Sequence, residues 1–127
     1  MSRQIIATDK APKAIGPYSQ AVAVNGFLFT SGQLPIDPAT GQLVAGTIEE
    51  QAHQVFRNLS AIAEKAGAGL ADAVKTTVFL SDINNFKAVN AVYEQYFTHP
   101  FPARSAFQVA ALPLSADIEV EAVFQLK

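Results

Sequence analysis

Arg104 stands inside the segment FPARSAF (101–107), which reads as a strand opening after two prolines, with small or apolar neighbours. A guanidinium in that position has two readings. It is an edge or interface residue with an ion-pair partner, or it anchors a carboxylate through the two parallel hydrogen bonds its planar fork offers. Fifteen residues on, Glu119 lies in the last predicted strand, IEVEAVFQL. If the final two strands are neighbours, Glu119 shares a sheet face with Arg104. An acid beside a bound carboxylate, partly desolvated, can then move a proton or orient a water. Glu121 has the same facing, and alternation does not separate the two glutamates. Both also fit as ordinary polar strand residues.

Other residues offer chemistry of lower specificity. Tyr18 follows Gly16-Pro17 in a loop and could place a phenol at a pocket mouth, or be a plain loop aromatic. Asn90 falls near an apolar helix stripe, where a buried amide needs partners; it pins a loop or touches a ligand. Ser31-Gly32 ends a hairpin strand, and a glycine there permits close approach to the backbone, as a turn would also require. His53 and His99 have no third ligand at metal-site spacing, so no metal is expected. There is no glycine-rich phosphate loop. With no cysteine, disulfides, thiolate metal sites and a cysteine nucleophile are excluded.

The elements that must position these groups follow from periodicity. A short strand is expected over 3–8 and a loop over 13–20. Ala21–Val24, Asn25-Gly26 and 27–32 read as a β-hairpin, since Asn-Gly supplies the positive φ of a tight turn. Residues 34–44 read as a turn-rich loop. Thr47 and Glu50 form a T-x-x-E capping box that opens a helix. Its apolar stripe is Ala52, Val55, Phe56, Leu59, Ile62, Ala63 and Ala66, and Gly67 stops it. The N-x-S match at Asn58 falls in this helical pattern and reads as chance. A strand follows over 73–80, then a helix over about 85–97 with Phe86, Val89, Tyr93 and Phe97 on its apolar face. Strands over 103–109 and 118–126 close the chain.

This order, ββ(β)αβαββ, predicts an α+β fold with two helices on one face of a mixed sheet. The second sheet face, carrying Phe79, Ala106 and Val123 among polar groups, is semi-apolar. Two helices cannot cover both faces, and a large exposed apolar patch usually marks association, so an oligomer is expected. The 127 residues suffice for one domain, 1–127. A net charge of −2 with no basic stripe argues against nucleic acid or an anionic membrane as partner. No apolar run approaches a membrane span and no signal core opens the chain, which makes a cytoplasmic location the expectation.

The segments IGPYSQAV (15–22), FTSGQLPIDPATG (29–41), VKTTVFLSDINNFKAVNAVYEQYF (74–97), FPARSAFQVAALP (101–113) and IEVEAV (118–123) resemble, in order and spacing, the RidA/YjgF/YER057c/UK114 family. The resemblance implies a chorismate-mutase-like (bacillary type) subunit, a homotrimer with a central β-barrel, and ligand clefts between subunits. It implies hydrolysis of 2-iminobutanoate and 2-iminopropanoate to 2-oxo acids and ammonia, without cofactor. By the same resemblance Arg104 binds the substrate carboxylate and Glu119 is the acid, while Tyr18, Ser31, Gly32, Phe86 and Asn90 match pocket positions. Ala106 stands where many members have cysteine. Three alternatives differ in class: a non-catalytic regulator binding small carboxylates or 2-oxo acids, RNA cleavage or translation inhibition as attributed to some relatives, and chorismate mutase chemistry. The last needs two carboxylate anchors where one well-placed arginine is found.

Overall fold

The computed structural model describes residues 2–127; Met1 lies outside the described residues. Three short strands come first: β1 (Gln4–Ile6), β2 (Ala21–Val24) and β3 (Phe27–Thr30). Asn25 and Gly26 both take positive φ, at 52° and 81°, as the tight hairpin turn requires. The segment expected to be only a turn-rich loop contains a small hairpin, β4 (Ile36–Asp37) and β5 (Gln42–Leu43). Helix α1 (Ile48–Lys65) opens on the expected capping box. Thr47 Oγ1 accepts from the Glu50 N–H at 3.2 Å, and the Glu50 carboxylate accepts from the Thr47 N–H at 3.3 Å. The helix ends at Lys65, and past its C-cap Ala66 the φ of +82° at Gly67 turns the chain away. Then come β6 (Ala73–Leu80), α2 (Phe86–Tyr96), β7 (Ala103–Gln108) and β8 (Ile118–Gln125).

The main sheet has the order β1-β2-β3-β8-β6-β7. Its pairings are antiparallel except β6–β7, where α2 supplies the crossover that a parallel pair needs. The fold is thus α+β, with a mixed, mostly antiparallel sheet and both helices on one face. Val55, Phe56, Leu59 and Ile62 of α1 and Val89, Val92 and Tyr93 of α2 are buried against Leu28, Val78, Leu80, Ile118, Val120 and Phe124 of the sheet. A β-bulge between Ala73 and Lys75 shifts the alternation at the start of β6. Val74 is therefore 39% exposed.

The other face is open, as the two-helix count predicted. Phe29 pairs with Val123, Phe79 pairs with both Glu119 and Phe107, and Ile5 pairs with Val22, so all point away from the helices. Ile5, Phe29 and Phe107 are 44–55% exposed. Ala106 is not part of that face. It packs against the helix-side core instead.

Candidate active site

Glu119 lies on the open face of β8, opposite Phe79. Gln33 exchanges two backbone hydrogen bonds with Val120, at 2.8 and 3.1 Å, which lays the Ser31–Gln33 segment along β8. Gly32 then meets the Glu119 side chain so closely that a Cβ would stand 2.7 Å from its Cδ and Oε2. A side chain here would push the Glu119 carboxyl from its place. Ser31 is fixed on both sides: its N–H donates to the Gln20 carbonyl at 2.8 Å, and its hydroxyl donates to the Ser19 carbonyl. Around Glu119 opens a cleft of about 810 Å³, lined also by Ile15, Tyr18, Ser31, Gly32, Leu34, Ile36 and Leu114. Burial pushes the Glu119 carboxyl above its usual range, and the negative charge of Glu121 adds to the effect. Such a carboxyl is a better proton acceptor than one in water.

Two buried amides hold the cleft walls, and sequence reasoning missed both. The Gln20 side chain accepts from the Thr8 N–H at 2.8 Å and donates to the carbonyls of Thr8 and Pro12 at 2.9 and 2.8 Å. It ties the 8–12 segment to the start of β2. Asn58, matched only to a chance sequon, is fully buried. It donates to the carbonyls of Leu34 and Ile36 at 3.2 and 3.0 Å, clamping the β4 loop onto α1. The signal was present: Asn58 occupies a position of the apolar stripe, between Val55 and Leu59, where an amide must find partners.

Arg104 lies elsewhere. β7 and β8 are not neighbours, because β6 runs between them. The Cα partner of Arg104 is Thr76, which is wholly buried on the helix side. Arg104 thus projects from the edge strand toward α2, and Glu119 projects from the opposite face. The expectation that they share a face is corrected. Alternation alone assigns two faces to a strand, and here Phe107 suggested the core side for the wrong set. Arg104 Nη1 donates to Asn90 Oδ1 at 2.8 Å, and its Cζ stands 4.7 Å from the Tyr93 ring centroid and 5.3 Å from that of Phe86. Asn90 and Phe86 therefore do meet Arg104, and Ala106 follows two residues along β7. A shallow hollow of about 360 Å³ opens here, lined by Asn90, Tyr93, Glu94, Phe101, Pro102 and Arg104. One nitrogen of the guanidinium is engaged by Asn90; the fork retains further N–H donors for an anion.

The predicted residues thus fall into two separate clusters. Tyr18, Ser31, Gly32 and Glu119 line one cleft; Phe86, Asn90 and Arg104 gather at the other hollow, with Ala106 two residues along β7 packed against the core. His53 Nδ1 is hydrogen-bonded with the Tyr96 hydroxyl at 2.7 Å, a link between the helices. Among the described residues no group of three or more His, Cys, Asp or Glu is placed to hold a metal ion, and no helix is long and apolar enough to cross a membrane.

Residues 8–125 match the family described as Endoribonuclease L-PSP. The chain is 54% identical over 121 residues to the 2-iminobutanoate/2-iminopropanoate deaminase of Homo sapiens, covering 95% of this chain and 88% of that protein. The crystal structure of a Rid-family protein, YyfA of Yersinia pestis, superposes with a TM-score of 0.96 at 47% identity, over 98% of this chain and 100% of the other. The Escherichia coli YjgF product superposes with a TM-score of 0.92 at 48% identity, over 98% and 99%. With its fold and nearly its whole length matched, the chain belongs to the Rid (YjgF/RidA, Endoribonuclease L-PSP) family.

Proposed function

We infer that this chain hydrolyses 2-imino acids, 2-iminobutanoate and 2-iminopropanoate among them, to 2-oxo acids and ammonia. One unit, 1–127, forms a chorismate-mutase-like subunit, and three copies close their open sheet faces into a central barrel in the cytoplasm. The observation that carries this reading is the separation of the two clusters. A carboxylate fork on an exposed edge strand and an acid in an open cleft cannot act together within one chain. The fork of one subunit set against the cleft of the next joins them, and the same contact covers the aromatic sheet face. The human relative's name as a deaminase of these imino acids fits the chemistry of the joined site.

In that site Arg104, with the backbone N–H of Gly32, holds the substrate carboxylate. The imine carbon is already electrophilic, so position, a water and a proton route suffice. Glu119 takes a proton from the water as its oxygen bonds to C2. The proton passes to the imine nitrogen, giving an aminoalcohol. The C–N bond then breaks, the nitrogen leaving as ammonia with a second proton taken from the new hydroxyl, and the C2 carbonyl forms. Tyr18 shapes the cleft mouth. No metal or organic cofactor enters these steps.

Subunit mixing tests the reading. Arg104→Lys and Glu119→Gln each inactivate on their own. Co-assembled at equal amounts, they restore about a quarter of the native sites, because one boundary in four pairs a native fork with a native acid. The readout is 2-oxobutanoate formed from freshly generated 2-iminobutanoate above the spontaneous rate. No recovery from a mixed trimer places both groups in one subunit's reach and overturns the shared site. A native protein that binds 2-oxobutanoate but never exceeds the spontaneous rate is a sensor of small carboxylates.

A further inference from the structure

Tyr93 reads in the sequence only as a member of the α2 apolar stripe, yet it touches the arginine on which carboxylate binding rests. It is 4% exposed, and the Arg104 Cζ stands 4.7 Å from its ring centroid. Its hydroxyl is hydrogen-bonded to Thr76 Oγ1 at 2.8 Å, and Thr76 is the cross-strand neighbour of Arg104. The ring is also stacked on Phe97, centroids 4.4 Å apart, and meets Phe56 edge-on at 5.6 Å. The phenol is thus held at its tip by the sheet and at its sides by the core. Arg104, by contrast, is solvent-exposed and ends a side chain with several rotatable bonds. An exposed guanidinium with one hydrogen bond would sample many rotamers.

We propose that Tyr93, locked by Thr76, is a positioning residue that seats the Arg104 guanidinium and presents its remaining N–H groups to the substrate carboxylate. Asn90 holds one nitrogen at 2.8 Å, and the Tyr93 ring bounds the guanidinium carbon at 4.7 Å, with Phe86 further off at 5.3 Å. Two constraints of different kind leave a planar group little freedom, so the fork is set before substrate arrives. Burial raises the phenol's pKa, outweighing the opposing influence of the Thr76 hydrogen bond and of Arg104, so the ring stays neutral. A neutral ring holds the cation without cancelling the charge that the substrate needs. The proposal rests on Arg104 as the carboxylate anchor and adds the means by which the anchor is aimed.

The test compares Tyr93→Leu, Tyr93→Phe and Thr76→Val, each alone and combined with Arg104→Lys. Calorimetry gives the Kd of 2-oxobutanoate, and turnover of 2-iminobutanoate gives kcat and KM. Tyr93→Leu is expected to raise Kd and KM about tenfold while kcat changes less than about threefold, the scale of a partly desolvated cation–π contact. Tyr93→Phe and Thr76→Val keep a ring but release its tip, and raise Kd about two- to threefold. In Arg104→Lys protein, which has no planar fork to aim, the same changes alter Kd less than about twofold. The Arg104 side-chain proton resonances are shifted upfield by the ring in native protein and lose that shift in Tyr93→Leu. Native Kd and KM in the Tyr93 and Thr76 variants, beside a large Arg104→Lys effect, overturn the seat alone. Equal fold-changes in both backgrounds assign Tyr93 to general packing and also overturn it. An Arg104→Lys protein with native Kd removes the anchor and the seat together. If Tyr93→Leu does not fold, the two gentler variants decide.

Discussion

Gly32→Ala isolates the contact between the Ser31–Gln33 segment and Glu119. The backbone of Gly32 is not in the left-handed region, so alanine brings no backbone strain of its own. The new methyl would lie 2.7 Å from Glu119 Cδ and Oε2 and 3.0 Å from Cγ. Ordinary contacts between carbon atoms are about 3.5–4.0 Å, so the carboxyl must move by about 1 Å. The far end of a side chain can do this by leaving its rotamer, which costs about 0.5–1.5 kcal/mol. Against that, replacing glycine by alanine at a compatible backbone stabilises by about 0.4–1 kcal/mol through the unfolded chain. The two nearly cancel, so Tm should stay within a few degrees. Catalysis should not be spared, because a displacement near 1 Å costs about 10²-fold in rate. The assay is 2-oxobutanoate formation from 2-iminobutanoate made in situ by a threonine dehydratase, with spontaneous hydrolysis subtracted. Binding of 2-oxobutanoate through Arg104 should survive within about tenfold, since the fork is untouched. Native turnover in a folded Gly32→Ala protein would refute the requirement that Glu119 sit where the glycine allows it.

Glu119→Gln should lower the rate by about 10²–10⁴, whereas Glu121→Gln should cost much less and move the acidic limb of the rate profile to lower pH, because it removes a charge that raises the Glu119 pKa. Thermal unfolding gives the linked sign: the raised Glu119 pKa contributes stability that is whole below the unfolded carboxylate range and is lost as pH rises through the folded value. Glu119→Gln should therefore raise Tm at neutral pH and lose that advantage in acid; an advantage that grows in acid contradicts the desolvated carboxyl. Gln20→Ala leaves the carbonyls of Thr8 and Pro12 without their side-chain donor, and denaturant titration should show a loss of about 2 kcal/mol with weakened activity. A loss below about 0.5 kcal/mol would mean that the 8–12 segment does not depend on this amide.

What was legible in the sequence is local. The Asn25-Gly26 turn, the Thr47–Glu50 cap and the stop at Gly67 each depend on a few adjacent residues, and each stands where it was read. The semi-apolar second face also followed from alternation. The position of Arg104 did not, because two facts had to be known together: that β6 separates β7 from β8, and which alternating set of β7 meets the helices. Phe107 belongs to the open face and Ala106 to the covered one, so hydrophobicity pointed the wrong way on this strand. Gln20 was illegible for another reason. A buried amide and a surface amide are the same letter, and only the carbonyls it meets, from Thr8 and Pro12, tell them apart; Asn58 could be read from its place in the apolar stripe, but not its partners Leu34 and Ile36. Thr76 and Tyr93 hid in the same way inside a strand and a helix stripe that already accounted for them as packing.

The open face of the sheet also governs how the protein behaves as material. Ile5, Phe29 and Phe107 stand exposed on one side of a thin two-layer chain. A chain with that surface is sticky when alone, so its handling depends on how much of it is present. Anything that binds the folded chain but not the unfolded one stabilises by mass action, and under the proposed assembly a second copy would be such a ligand. Melting temperature should climb with protein concentration, dilution should promote loss to vessel walls, and newly made chains face a race between finding one another and clumping. A polar substitution at Phe29 would remove the hazard and the proposed assembly by the same stroke.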